Sequence, residues 1–574
     1  VIDFNRTVNK PWLLSLAVFF GGLFLFSSEI GNRPFFTRGE GREAIVVQDM
    51  LESGNYILPF EDLSDVPTKP PMFHWIASAA STAFGGMTEF SIRFPSALLA
   101  AIGLGLLLLV SSRSLGMPGA LIATGILGTS LEYSRSAIHA RVDMCFSIGI
   151  MCALVCLYRG VELWAEKKSA LVWWFGSSVA MTFAVLSKGP AGIVIPGVVT
   201  AIYASIVHYK NSDLSARLRL ILSAVGVVVL TTFLSGLWYY FAYLQGGETF
   251  VHIHFFRENL GRFQSIEGEE IGHTKPFYYS VIYLLIGFCP WSFIFPVVGI
   301  WLWQNRKNLK QDRPLLFASI WSLAVLLLVT VSQAKRDVYL LPAFPPLAYL
   351  FSKAILSQQT GVRCFGGRFL AVLVGALATV LFVALVAITY LMTVTDVNGA
   401  LDDFFKGKTL ALLGELINEW ESSLGYFVPA LVVFLALLMM TRSIWLGRMV
   451  PFVTYVIVAS LAGSIVGNSL VLAELAEVAS PKEFILKVRE TVTPGERLYQ
   501  YKNQFFPSMY YADRRVTVVY DFKELLLDNG CYILVRDDDV EEVLAALPGS
   551  QVLLKSDNLA ANGHGKLMLV RNVE

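Results

Sequence analysis

The sequence predicts an all-α, polytopic membrane domain over residues 1–470, followed by a small soluble α/β domain over residues 471–574. Three observations carry this. Of the 574 residues, 55% are hydrophobic and only 16% are Asp, Glu, Lys or Arg, with a mean hydropathy of +0.58; a water-soluble fold would lack the polar side chains needed to cover itself. Apolar stretches long enough to cross a hydrocarbon core recur as far as residue 470, about thirteen in all. Beyond Val471 charges become frequent and short, β-rich apolar runs replace the long ones. A net charge of +1 excludes a nucleic-acid binder, which needs a basic excess to neutralise phosphates. The six Cys are scattered with no CxxC pair, so they read as packing residues.

The first span runs from Pro11 to Ser28 behind Arg6 and Lys10. No small-residue cleavage site precedes Arg33-Pro34, which favours a membrane span over a signal peptide and a cytoplasmic N-terminus. Further spans begin near Ser96, Met117, Met144, Leu171, Gly189, Leu220, Phe277, Leu315, Val338, Phe369, Tyr426 and Met449. The run from Met72 to Phe84 is too short to span and follows Lys69-Pro70-Pro71, so it reads as an interfacial helix. In the last hundred residues, helices are expected over Pro481 to Val492, Phe522 to Asp528 and Val540 to Leu547. Strands are expected over Arg497 to Tyr501, Arg515 to Tyr520, Cys531 to Arg536, Gln551 to Lys555 and Lys566 to Val570.

Lys and Arg set orientation. Alternate loops carry Arg113, Lys167 and Lys168, Arg217 and Arg219, then Arg306, Lys307, Lys310 and Arg313, and later Arg442 and Arg448, with few acids. These are the cytoplasmic loops. The opposite loops, chiefly residues 31–71 and 245–276, mix acids, bases and histidines, and an odd number of spans puts the C-terminal domain on that same outer face.

Candidate chemistry gathers there. Glu40 lies between Arg38 and Arg42; it is either a base or metal ligand at the membrane surface or one half of an exposed ion pair. Lys69, on a backbone stiffened by two prolines, is placed to bind a phosphate or to snorkel. Asp143 follows His139-Ala140-Arg141-Val142 at the edge of an apolar run, where a carboxylate needs a function or a partner such as Arg141 or His139. Lys188 interrupts an apolar region ahead of Gly189-Pro190 and reads as an anion-facing lysine or a turn between spans. His254, Arg257, Glu258 and Arg262 crowd the third outer loop, as a phosphate clamp or as ordinary helical surface pairs. No HxxxH or HExxH spacing is present there, so any metal would have to be shared with Glu40 or Asp143. Tyr339 follows Lys335-Arg336-Asp337, where a hydroxyl can donate to a phosphate oxygen.

These segments, together with Phe256 through Phe263, resemble the GT-C membrane glycosyltransferases. Within that class they look most like the lipid A aminoarabinose transferase (ArnT) family, distantly similar to the protein O-mannosyltransferases. The resemblance covers nearly the whole membrane part. It implies an undecaprenyl-phosphate-linked sugar as donor, an acceptor on the periplasmic side of the bacterial inner membrane, and inversion at the anomeric carbon. Carried over by residue, Glu40 matches the acidic motif of the first loop, Asp143 the second acid and Lys69 the lysine of a KPP motif. Arg262 and Tyr339 match positions around the lipid phosphate, Lys188 matches an outer-face lysine, and His254 resembles a histidine that helps bind a divalent metal in some relatives. One departure stands out: Gly39-Glu40 replaces the Asp-Glu common in the family, so either Glu40 reaches further or Asp143 does more.

The residues suit that chemistry on their own terms. A glycosyl phosphate carries its own leaving group, so cations and donors must hold it while an acceptor oxygen approaches from the other side, and a carboxylate removes or orients the acceptor proton. The expected activity is therefore an inverting glycosyltransferase whose partners are the donor lipid, membrane lipids and a lipid A-like glycolipid acceptor. A protein O-glycosyltransferase is the rival within the class. A flippase of lipid-linked sugar is the rival outside it, and would place charge in mid-span rather than at one face.

Overall fold

Long apolar helices dominate the computed structural model, which describes residues 10–59, 66–208, 213–260, 274–357, 427–446, 448–468, 472–502, 505–514, 516–522, 525, 530–557 and 565–573. The first helix, α1 (Pro11–Ser27), packs along α4 (Glu89–Thr129). Helix α4 is broken at Gly116, whose φ of 67° and ψ of 173° are not helical, so the spans expected from Ser96 and Met117 are two arms of one bent element. Among the described residues, six helices are long and apolar enough to cross a membrane. A bent pair, Tyr279–Gly287 with Trp291–Asn305, makes up to seven, and Pro11–Ser27, Ala191–Val207 and Met449–Ile465 are shorter apolar helices. The chain is thus a multi-pass membrane protein. The span expected from Phe369 lies outside the described residues.

Two polar clusters mark the ends of α6 (Val142–Ala165). Asp143 lies in its first turn. Glu162, near the other end, is buried and joined to Tyr203, His208 and Arg313. Nineteen residues at 1.5 Å rise separate them by about 29 Å, close to the thickness of a bilayer core.

The connections at the Asp143 end carry short helices: α2 (Arg38–Ser53), α3 (Met72–Ala83) and α5 (Leu131–Ala137). Thr37 caps α2 by accepting the Glu40 amide at 3.3 Å, and Gly54 closes it at φ 71°, a conformation that glycine adopts without a Cβ penalty. The run from Met72 is a twelve-residue helix with Phe73, His74, Ala77 and Ser78 buried.

The C-terminal part holds a five-stranded sheet of order β2-β1-β3-β5-β4: β1 (Leu498–Tyr501), β2 (Val516–Val519), β3 (Tyr532–Arg536), β4 (Gln551–Lys555) and β5 (Leu567–Arg571). β2, β1 and β3 run parallel, and β5 joins β3 and β4 antiparallel. All five strands fall on the expected runs. The central strand β3 is buried on both faces: Ile533 and Val535 pack toward Val543 and Leu547, while Tyr532 and Leu534 join Phe484, Ile485 and Phe506 in the core continuous with the membrane helices. The helix expected over Phe522 to Asp528 lies mostly outside the described residues.

Unforeseen in the sequence is α18 (Phe506–Ala512), which rests on α2. The approach is so close that a Cβ on Gly41 would meet the Pro507 nitrogen at 2.5 Å. Tyr511 Oη accepts the Phe35 amide at 2.6 Å and donates to Glu89 at 3.0 Å, while Ser480 Oγ donates to the Phe35 carbonyl at 2.8 Å. The sheet region therefore backs the loop that carries Glu40.

Candidate active site

Glu40 is fully buried, and its partner is Arg93 rather than Arg38 or Arg42. Arg93 Nε and Nη2 grip the two carboxylate oxygens at 2.7 and 3.2 Å, and the remaining donors go to the carbonyls of Ile30, Arg33 and Pro34. All five guanidinium protons are thereby used. Burial pushes the Glu40 carboxyl upward, but Arg93 and His139, with the Ala140 amide donating to Oε1 at 3.2 Å, overrule it and hold it at about 2. An ionised carboxylate so enclosed organises its surroundings: it fixes the extended His139–Arg141 segment that leads into α6. Glu43, one turn on, is likewise closed off by Arg42 and His74 at 2.6 Å each. Arg93 was not singled out in the sequence, although an arginine at the start of an apolar run is the kind of residue that needs a buried partner.

Asp143 pairs with Lys188 at the end of α7 (Leu171–Lys188), not with Arg141 or His139. The Lys188 ammonium also sits 4.1 Å from the Tyr339 ring centroid, a cation–π contact. Lys69 pairs with Glu258. Lys69, Lys188, Tyr339, His254 and Glu258 come together with Phe146, Pro190, Val194, Ile195, Leu328 and Val329 around a cavity of about 560 Å³. It is an apolar pocket with a cationic head, built from segments far apart in the chain.

Two expected residues behave otherwise. α9 (Leu214–Val251) passes into a π-helix at His252–Leu260, and this wider winding turns His254 and Glu258 to the cavity while Arg257 is exposed and does not line it. His254 Nε2 meets the Pro67 carbonyl at 2.7 Å, its ring packs among Trp238, Tyr239 and Phe250, and among the described residues no group of three or more His, Cys, Asp or Glu could hold a metal ion. Arg262 lies outside the described residues.

A second cavity, about 730 Å³, is lined in part by the His139–Arg141 segment. Thr37, Glu132, Arg135, His139, Arg141 and Asn468 supply its polar lining, and Phe36, Leu131, Ile138, Pro290 and Leu475 supply apolar wall. Burial drives the His139 imidazole down to about 4 against the pull of Glu40, so it is neutral. Arg141 makes no ion pair among the described residues, and Gly39 faces its guanidinium, 3.8 Å from where a Cβ would stand. The two cavities have no lining residue in common, but an ion pair links their walls. Arg135, of the second, pairs with Asp337, which opens the 3-10 turn Asp337–Ala343 carrying Tyr339 of the first.

This fold is also seen in a solved membrane protein. The crystal structure of ArnT from Cupriavidus metallidurans bound to undecaprenyl phosphate superposes with a TM-score of 0.73, covering 98% of this chain and 98% of that one at 20% identity. Residues 68–239 match the family model of the dolichyl-phosphate-mannose-protein mannosyltransferases. Among curated proteins, an uncharacterized protein of Aquifex aeolicus is 28% identical over 338 residues, covering 59% of this chain and 63% of the relative. The undecaprenyl phosphate-alpha-4-amino-4-deoxy-L-arabinose arabinosyl transferase 2 of Proteus mirabilis is 26% identical over 356 residues, covering 61% and 60%. The chain thus spans a little under two thirds of the length of these curated relatives.

Proposed function

We propose that the protein is an integral-membrane, inverting glycosyltransferase that takes a sugar from a polyprenyl phosphate, undecaprenyl phosphate in a bacterial inner membrane, and passes it to an envelope glycolipid such as lipid A on the periplasmic side. One observation carries this reading: Lys69, Lys188 and Tyr339 line a largely apolar cavity, the lining that a phosphate on a hydrocarbon tail requires. Each ammonium has three donors, so each lysine can keep its carboxylate and still bind phosphate oxygens. The smaller cavity then takes the donor lipid and the larger one the acceptor. Asp143 and Glu40 act by placement: Asp143 aims Lys188, and Glu40 holds the His139–Arg141 segment that lines the larger cavity. Arg141 faces the developing phosphate charge from the acceptor side.

The ArnT fold and the arabinosyl transferase relatives support this reading, and so does the placement of the ion pairs at helix ends rather than in mid-span, where a flippase would need them. The match to a protein mannosyltransferase model favours a protein acceptor as the second reading. Mass spectrometry of envelope lipids and glycoproteins from cells with the active protein, without it, and with Lys188→Ala separates these. A sugar-sized mass missing from a glycolipid in the last two supports the first reading, and one missing from a glycoprotein supports the second. Unchanged lipids and glycoproteins with a lipid-linked sugar accumulating inside would overturn both in favour of transport.

A further inference from the structure

The larger cavity contains a residue that the sequence reading passed over. Glu132 is the single carboxylate among its described lining residues, and it is 3% exposed. It sits in the first turn of α5, whose start is pinned by the Leu131 amide donating to the Cys289 carbonyl at 2.9 Å. Ser136 Oγ donates to Glu132 Oε1 at 2.9 Å, and Arg135 Nε lies 3.1 Å from Oε2. Gly287 lets the chain pass close by: a Cβ there would come within 3.0 Å of Glu132 Cβ. The carboxylates expected to act as bases, Glu40 and Asp143, do not line this cavity and are paired with Arg93 and Lys188, and position 39 has no side chain.

On the reading given above, we propose that Glu132 is the general base of the reaction and that the acceptor group is a hydroxyl of an amphiphile rather than a phosphate. An acceptor phosphate is already ionised and needs no base; a carboxylate on the wall of its cavity would only repel it. A hydroxyl must lose its proton. In the step, the acceptor O–H bond breaks and its proton passes to a Glu132 oxygen, the acceptor oxygen bonds to the anomeric carbon, and the bond from that carbon to the phosphate oxygen breaks, its electron pair leaving on polyprenyl phosphate. Arg135 holds Glu132 in place and couples it through Asp337 to the turn that carries Tyr339.

The titration of Glu132 suits the task. Burial raises its carboxyl to about 7 and Asp337 adds to the rise, with Arg135, Ser136 and Arg141 opposing it; neutral His139 and the Cys289 thiol complete the titratable groups on the cavity wall. A base poised near neutrality gives a rate that climbs with pH to about 7 and then levels.

The test uses the full chain in detergent with an undecaprenyl-phosphate-linked aminoarabinose as donor and extracted envelope lipids as acceptor. Glu132→Gln is expected to lower kcat by about 10²- to 10⁴-fold, leave the KM for donor within twofold and abolish the limb near pH 7. Added formate should restore part of the rate to Glu132→Ala, and Glu132→Asp should retain a fraction of it. The wild-type product should be a glycoside that survives the mild acid that cleaves glycosyl phosphates. Glu132→Gln turning over within threefold of wild type, an acid-labile product, or a loss of rate with the pH limb intact and no formate rescue would overturn the proposal. Failure of the underlying glycosyltransferase reading looks different, since wild type itself would then release no polyprenyl phosphate.

Discussion

At the scale of single residues, the Asp143 end of the helices is organised by buried ion pairs whose members are far apart in sequence: Arg93 and Glu40 by 53 positions, Lys188 and Asp143 by 45, Lys69 and Glu258 by 189. Removing one partner strands a charge in an apolar setting. Arg93→Ala is therefore expected to cost about 3–5 kcal/mol, measured as a fall in the unfolding temperature of the detergent-solubilised protein, with Arg93→Lys recovering only part because a lysine cannot grip both oxygens. Lys188→Gln is expected to raise the KM for donor lipid about 10- to 100-fold through a lost charge-assisted contact worth about 1.5–3 kcal/mol, and to lower Tm as well because it strands the Asp143 carboxylate. Acid should weaken the site in two stages. His139 is held neutral, its value lowered from 6.5 to about 4, so the unfolded chain takes up a proton first and stability falls as pH drops through that window. Glu40 is held ionised, from 4.5 down to about 2, so its contribution is intact above 4.5 and is lost as pH falls toward 2. Unfolding temperatures measured from pH 8 to 3 should show the upper stage vanish in His139→Gln. The charges themselves were legible in the sequence because ionisable residues at the ends of apolar runs stand out. Their pairing was not, since proximity in sequence suggested Arg38, Arg42 and Arg141, and only the packed helices bring Arg93 and Lys188 into reach.

Among the elements, periodicity and composition revealed the apolar helices, the short helix from Met72 and all five strands, because each has an apolar pattern of its own. They did not reveal α18, in which Pro507, Met509, Tyr510 and Tyr511 read as a loop next to a strand, nor the π-helix that turns Arg257 outward. Both are decided by contact: α18 by its seat on α2, the π-helix by the pull of Lys69 and Pro67 on Glu258 and His254. The seat is narrow at Gly41. Gly41→Val would place a side chain against the Pro507 backbone, so α18 should lift away. Limited proteolysis should then cut faster within residues 505–514 than in wild type, and transfer activity should fall although every cavity residue is intact. Equal cleavage of the two proteins would mean that the contact with α2 contributes little to holding the sheet region.

For the molecule as a whole, the two polar ends of the helices define opposite faces, and topology can be checked directly. Single cysteines introduced at Lys487 and at Lys310 should label from opposite sides of intact cells, Lys487 from outside and Lys310 only after permeabilisation. Labelling of both from one side would break the arrangement on which the two-cavity reading depends. The docking of α18 has a further consequence, in the time order of synthesis. Phe35 emerges early, yet the hydroxyl that holds its amide belongs to Tyr511, 476 residues later. At cellular elongation rates that gap is on the order of tens of seconds. Throughout it the membrane helices can insert while the loop before α2 stays without its cover. The contact between α2 and α18 forms only once translation has passed residue 511, so the earliest loop of the chain is among the last to be completed.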